Sequence, residues 1–422
     1  MTNNLDGHTY IDEAIINDAS AFNEALIIKL KSNFNNLHTD NWDFDRFGAE
    51  PDYSEHFERT LEQSLAIVPD FKRIGFLYNL LEDDLSKNIL VSLFAYRILG
   101  YKKVRLPRNN DFYQMAMSKI HALPKLQSLN IPAGVGGFDL TLFDLRAVNF
   151  ELTMFASLLG VNLTFLQKQY ELHHGDIHIK AEIGDTVIDA GGCWGDTALY
   201  FAHEVGGGGR VISFEFIPSN LDVLNKNLAL NKNLEERVSV VTQPLWSTAG
   251  KVLHYIDRGP ASNVSSEPIH FDAALNGTCT TTTIDEICDT LDLQKCDFIK
   301  MDIEGAELSA LKGAEATLRK FRPKLAICLY HSVDDFCDIP KYIHSLGLGY
   351  KFYLDHATIH LEETVLFCIS DASSELEYMK HKVASLEVKI SSKDILLANM
   401  KADNDLLKRI VADLYIEKLL QK

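Results

Sequence analysis

Two clusters of residues have the types and spacing to do chemistry. The first is Asp189-Ala-Gly191-Gly192-Cys193-Trp194-Gly195-Asp196-Thr197, a glycine-rich turn that follows the apolar run Val187-Ile188. Glycines at such a turn let a ligand approach the backbone where a Cβ would obstruct it. A helix opening near Asp196 would add unpaired N–H groups. The next apolar run, Arg210-Val-Ile-Ser-Phe, ends in Glu215, placed to accept hydrogen bonds from ribose hydroxyls. A strand–turn–helix–strand unit of this kind binds nucleotides at the turn, so an adenosine-type cofactor is expected.

The second cluster is Asp297-Phe-Ile-Lys300-Met-Asp302-Ile-Glu304-Gly305-Ala-Glu307. Alternate side chains of a strand share a face, so Asp302 and Glu304 can point the same way above a sheet. Glu307 falls in a first helical turn, where it would complement the helix dipole. His331 follows the apolar run Leu325–Tyr330, and with Asp302 and Glu304 it makes three candidate general bases; its ordinary pKa suits proton transfer. Asp302 and Glu304 together are too few ligands to assign a metal, and a divalent ion is left open.

Elements that would position these groups follow from periodicity. Strands are expected at Ile177–Lys180, Val187–Asp189, Val211–Phe214, Val238–Val241, Phe298–Asp302, Leu325–Tyr330, Tyr350–Leu354 and Thr364–Ile369. Helices alternate with them, one opening near Asp196 and others at Asn220–Asn231, Gly305–Leu318 and Asp338–Leu346. That alternation predicts an α/β layer with a mostly parallel sheet and an antiparallel end. Residues 1–150 carry helix spacing, through Ile15, Phe22 and Leu26 and again through Leu90, Leu93 and Phe94, and form a mainly helical N-terminal region. Residues 151–370 hold the α/β domain. In 371–422 Leu376, Val383, Ile390 and Leu397 recur at one heptad position and Met379, Leu386 and Met400 at another. That tail is expected to be a coiled-coil oligomerisation helix, with a dimer favoured and Asn404 as a register-fixing polar position.

A net charge of -18 in 422 residues argues against nucleic acid as a partner. The seven cysteines show no C-x-x-C spacing and no zinc-like pattern. No basic start with an apolar core opens the chain, and no apolar run reaches membrane-spanning length, so a cytoplasmic protein is expected.

The glycine spacing separates two cofactor classes. A nicotinamide turn wants G-x-G-x-x-G, and Cys193 fills the place of its second glycine. The form D-x-G-x-x-x-G, met by Asp189, Gly191 and Gly195, is that of Rossmann-like S-adenosylmethionine sites. Val187-Ile-Asp189-Ala-Gly191-x-x-x-Gly195, Phe214-Glu215-x-x-Pro218, Thr282-Thr-Ile-Asp285 and Ile299-Lys-Met-Asp302-Ile-Glu304-Gly305-Ala-Glu307 together resemble the FkbM family of S-adenosylmethionine-dependent methyltransferases. The resemblance covers roughly 180–330, and departs from the family at Gly192-Cys193-Trp194.

The resemblance implies a Rossmann-like class I methyltransferase sheet, with S-adenosyl-L-methionine as cofactor and a sugar or natural-product oxygen as acceptor. It further implies that Asp189 and the turn of Gly191, Gly192, Cys193, Trp194 and Gly195 hold the methionine part and that Glu215 holds the ribose, with Asp196, Thr197 and Asn220 also among the cofactor-binding residues. Leu245 and Trp246 would flank adenine, although a core role for the tryptophan is equally open. Asp302 would face the cofactor's amino group or the acceptor. The acceptor is a small molecule or glycan, with the loop Tyr255–Asn263 at its mouth. Two other readings stay open: a coiled-coil scaffold carrying a vestigial Rossmann-like domain, and an NAD-dependent oxidoreductase. A nucleic-acid methyltransferase is disfavoured by the charge and by the lack of an Asn/Asp-Pro-Pro-Tyr/Phe string.

Overall fold

Strands buried on both faces read as continuous apolar runs, because water reaches neither side. Thr186–Ala190 (β1), Phe298–Met301 (β4), Lys324–Cys328 (β5) and Thr364–Ser370 (β7) are buried at every residue. With Arg210–Phe214 (β2), Val238–Val241 (β3) and Tyr350–His356 (β6) they form a seven-stranded sheet of order β3-β2-β1-β4-β5-β7-β6. β1 to β5 run parallel, while β7 is antiparallel to both β5 and β6. The chain order reverses between β1 and β4. In an open α/β sheet that switch point, beyond the carboxyl ends of the strands, is where ligands bind.

This computed structural model describes residues 18–52, 71–131, 138–268 and 276–370. They fall in one compact unit, Met1–Ser370. The coiled-coil reading of 371–422 lies outside the described residues. Among the described residues no helix is long and apolar enough to cross a membrane.

On one face of the sheet, helix Asp84–Leu99 packs against β6, helix Phe71–Leu80 packs on helix Asp335–Ser345, and helix Ser20–Asn33 packs on both Phe71–Leu80 and Asp84–Leu99. Phe22, Leu77 and Phe94 join Ile188, Ile299 and Ile327 in a single hydrophobic core, so no boundary near residue 150 divides the helical region from the sheet. Asp83 caps helix Asp84–Leu99 by accepting the Ser86 N–H at 2.6 Å. The same segment reaches the outer edge of the sheet. Glu82 N–H donates to Phe352 O at 3.0 Å, Leu81 bridges Phe352 in parallel, and Leu354 N–H donates to Ser86 Oγ at 2.9 Å. The opposite face carries Asp196–Glu204, with Leu199 and Phe201 against Val187, Val211 and Phe298.

Three expectations change. The N-terminal region is not helical to its end: Lys125–Ile131, Phe138–Asp144 and Thr153–Ala156 form an antiparallel sheet. The first of these strands is exposed at almost every position, so it has no apolar alternation to announce it. The segment Tyr255–Asn263, read as a polar loop, joins two strands of a second antiparallel sheet, in which Val252–Ile256 pairs with Asn263–Ser265 and Asn276–Thr280. The helix expected over Gly305–Leu318 is two short ones, Glu307–Lys312 and Glu315–Phe321. Gly313 separates them, and a Cβ there would lie 2.1 Å from the Trp246 carbonyl oxygen.

Candidate active site

A cleft with about 600 Å³ of empty volume opens beyond the carboxyl ends of β1, β2 and β4. Gly191 and Cys193 come from the turn after β1, and Phe214–Ile217 and Asn220 from the end of β2 and the helix after it. Gln243–Leu245 follow β3, and Asp302–Glu304 and Ala306 follow β4. Gly259, Pro260, Ser262 and Val264, from the small antiparallel sheet, close one side.

The glycine turn is shaped first by its protein neighbours. Gly191 has φ +90°, and a Cβ there would meet the Asp302 carbonyl oxygen at 1.9 Å. A Cβ on Gly192 would meet Ser213 Oγ at 2.2 Å. Cys193 takes φ +42°, a left-handed conformation that glycine adopts freely and other residues rarely. A glycine would take this conformation without strain, and the cysteine adopts it all the same.

Beneath the turn lies a buried polar lock. Asp189 accepts from Thr197 Oγ1 at 3.0 and 3.1 Å and from Ser213 Oγ at 2.8 Å. Lys300 Nζ stands 3.2 Å from Asp189 Oδ1 and donates to the Ala190 and Gly191 carbonyls at 3.0 and 2.6 Å. Lysine and aspartate are 1% and 0% exposed. Burial alone would lower the lysine's pKa; the Asp189 and Asp302 charges outweigh it, and the ammonium keeps its proton. Asp189 and Thr197 therefore face inward and hold the turn from below.

Glu215 sits on the cleft wall. Its Oε1 accepts the Phe216 and Ile217 N–H groups, each at 2.7 Å, and its Oε2 accepts from Asn220 Nδ2 at 3.2 Å. Burial pushes its carboxyl up to about 7 against these hydrogen bonds. Asn220 also donates to Gly259 O at 3.2 Å, tying the small sheet to the wall, and its Oδ1 is buried with no hydrogen-bond partner. Leu245 lines the cleft.

Other turn residues point elsewhere. Trp194 is 6% exposed and packs edge-on against Phe138 at 5.4 Å, beside Phe155 and Val223. Asp196 accepts from Thr164 Oγ1 at 2.9 Å. Gly195 abuts Leu224, and Trp246 lies under the Lys251 ammonium at 5.4 Å. Gly192, Trp194, Gly195, Asp196, Thr197 and Trp246 do not line the cleft.

Residues 178–352 match the family described as the Methyltransferase FkbM domain. This stretch is an FkbM methyltransferase domain. A solved methyltransferase FkbM from Methylobacillus flagellatus is similar at 21% identity and TM-score 0.45, over 72% of this chain. The chain covers 60% of that relative's length. An O-methyltransferase from Bacillus cereus, solved with SAH, is 13% identical at TM-score 0.30, over 63% of this chain and 93% of that one. Fibrillarin from Aeropyrum pernix, solved with S-adenosyl-L-methionine, is 11% identical at TM-score 0.31, over 58% of this chain and all of that one (100%). No curated protein matches.

Opposite Glu215, the FkbM domain brings its three candidate bases together. His331 Nε2 lies 3.4 Å from Asp302 Oδ1 and 3.6 Å from Glu304 Oε1, and Nδ1 lies 3.2 Å from Glu307 Oε1. Neither ring nitrogen has an aligned hydrogen-bond partner. Burial would lower the His331 pKa, but the three carboxylates win and hold it well above its ordinary value. The ring thus keeps a proton at neutral pH, which the pKa argument from sequence did not foresee. Burial would raise Asp302, yet the imidazolium, Lys300 and the Tyr170 hydroxyl hold it below the usual carboxylate range. Glu304 adopts φ +55°, the left-handed region, where β4 passes into its helix.

Two tyrosines of this site were not singled out from sequence. Tyr170 and Tyr330 donate to the two Asp302 oxygens at 2.9 and 3.0 Å. Tyr170 lies outside the FkbM stretch and gives no local signal. Asn227 donates to Trp194 O and Phe155 O, each at 2.8 Å, fastening the turn to the sheet before it. Lys300 could have been found, since a lysine inside Phe298-Ile-Lys-Met, a run buried throughout, must be paired. His356 and His360, at and just beyond the end of β6, are buried away from the cleft: His360 Nε2 accepts the Asp43 N–H at 3.1 Å, and His356 Nδ1 meets Thr364 Oγ1 at 2.9 Å.

Proposed function

We propose that this chain is an S-adenosylmethionine-dependent O-methyltransferase acting on a sugar hydroxyl in a glycan or natural-product pathway. The observation that carries the cofactor class is the pair on the cleft wall at the end of β2. Glu215 retains acceptor capacity on Oε2, and Asn220 Oδ1 is buried without a partner. Both suit the hydroxyls of a ribose, and the apolar side chains of Leu245 and Ile303 offer a slot for a flat base. The chain's own residues therefore fit an adenosine cofactor. When bound, that cofactor supplies a methyl group on a sulfonium.

For a hydroxyl acceptor the demands are in-line alignment and loss of a proton. Asp302 and Glu304, with His331 behind them, stand where the acceptor would lie. The two tyrosines hold Asp302 in one orientation. The Gly259–Val264 wall, tied down by Asn220, supports a role for this segment in shaping the acceptor's place. Calorimetry with S-adenosylmethionine and with NADH tests the cofactor reading: saturable binding of the first is expected, and NADH binding alone would overturn it. Mass spectrometry of glycans from cells lacking the protein tests the acceptor class, with the loss of one methyl expected.

The heptads of 371–422 support a homo-oligomer, with a dimer favoured.

A further inference from the structure

We propose that Asp302, Glu304 and His331 form a binding site for one divalent cation of the Mn²⁺ class. One ligand atom from each of the three can be chosen so that all lie within 4.8 Å of one another. The His331 side chain is 9% exposed, and it turns Nε2 toward both acids without an aligned hydrogen bond. Separations of 3.4 and 3.6 Å are long for hydrogen bonds to an imidazole. They suit donors that share an ion at about 2.0–2.2 Å from each.

The surroundings match what such ligands need. A ligating imidazole gives up one ring proton to solvent as the ion binds, and commonly gives its other ring N–H to a carboxylate, which fixes the tautomer. Glu307, 0% exposed, stands 3.2 Å from His331 Nδ1 and is itself anchored by the Ile303 N–H at 2.7 Å. A ligating carboxylate is in turn hydrogen-bonded, and Asp302 receives one tyrosine hydroxyl on each oxygen. Three carboxylates around a single imidazole also leave an excess of negative charge that a dication would balance. Two carboxylates, one imidazole and an open cleft side for water suit Mn²⁺; a soft ion would want thiolates, and Mg²⁺ favours oxygen alone.

The site stands on these residues whatever the cofactor. Its use on an acceptor hydroxyl, which a Lewis acid polarises, rests on the proposed function.

The test is a titration of the full chain with Mn²⁺ to about 1 mM, followed by the loss of free-ion paramagnetic resonance signal, without S-adenosylmethionine. One ion per chain is expected, with affinity weakened about tenfold or more in Glu304→Gln and His331→Ala. Asp292→Asn, which alters an acid lining a separate hollow, is expected to bind as the parent does. No binding, or binding unchanged in Glu304→Gln and His331→Ala, would overturn the proposal. Should His331→Ala not fold, the isosteric Glu304→Gln decides alone. Because S-adenosylmethionine binding is measured separately without Mn²⁺, either result can fail while the other stands.

Discussion

Replacing Lys300 by methionine asks how much of the cleft depends on the buried lock beneath the glycine turn. The substitution roughly conserves volume but removes the cation that faces Asp189 and two carbonyls at 3.2, 3.0 and 2.6 Å. Thr197 and Ser213 still donate to Asp189, so the carboxylate keeps hydrogen bonds and loses its counter-charge. Breaking one side of a buried pair costs about 3–5 kcal/mol. Unfolding entropy of about 2.1 cal/mol/K per residue, applied to a unit of the size of Met1–Ser370, converts this into a fall in Tm of roughly 4–6 °C. Removing both charges in Asp189→Asn/Lys300→Met spares the orphaned carboxylate. The double variant should therefore lose less than the two single losses summed, by about 1–2 kcal/mol. Scanning calorimetry on the four proteins measures the cycle. A Lys300→Met protein that melts within about a degree of the parent, or strictly additive losses, would refute the reasoning.

Glu215→Gln should weaken S-adenosylmethionine binding by about 1.5–3 kcal/mol in a calorimetric titration, the range of a hydrogen bond to a charged group. Because burial raises Glu215 to about 7, its carboxylate is fully present above that pH and is lost below it; parent affinity should fall from pH 8 to pH 6 and that of Glu215→Gln should not. Gly192→Ala should destabilise the fold through its 2.2 Å clash with Ser213 Oγ, and Gly192→Ala/Ser213→Ala should regain part of the loss in thermal melts. A chain ending at Ser370 should sediment as a monomer while the full chain sediments as a dimer; equal sedimentation would remove the role given to 371–422.

The strands of the large sheet were legible because burial on both faces leaves an unbroken apolar signature. The strands of the two three-stranded sheets were not, for they are partly exposed and carry no unbroken apolar run; Lys125–Asn130 shows water nearly every side chain. The site divides in the same way. Glu215 and Asp302 could be placed from sequence, each closing an apolar run. The purpose of the glycines could not. Gly191 and Gly192 make room for Asp302 O and Ser213 Oγ, partners set by strand pairing and invisible to a local pattern. Asp189 was expected at the methionine part, and only the positions of Lys300, Thr197 and Ser213 show it to be turned inward. His331 was chosen for its ordinary pKa, and the three carboxylates that change it come from a different strand end and the helix that follows.

The backbone contact between Glu82 and Phe352 bears on how much of this chain is needed to make the domain. A sheet edge presents unpaired N–H and C=O groups, an invitation to other strands. Here β6 is the outer strand, and the segment around Leu81–Ser86 covers part of its rim from outside the FkbM stretch. A fragment trimmed to residues 178–352 would cut β6 after Phe352 and bare the apolar side chains now packed against the N-terminal helices. It would also lose β7, which lies between β5 and β6. In this protein the segment between two N-terminal helices already occupies part of the edge at which a strand of another chain could pair.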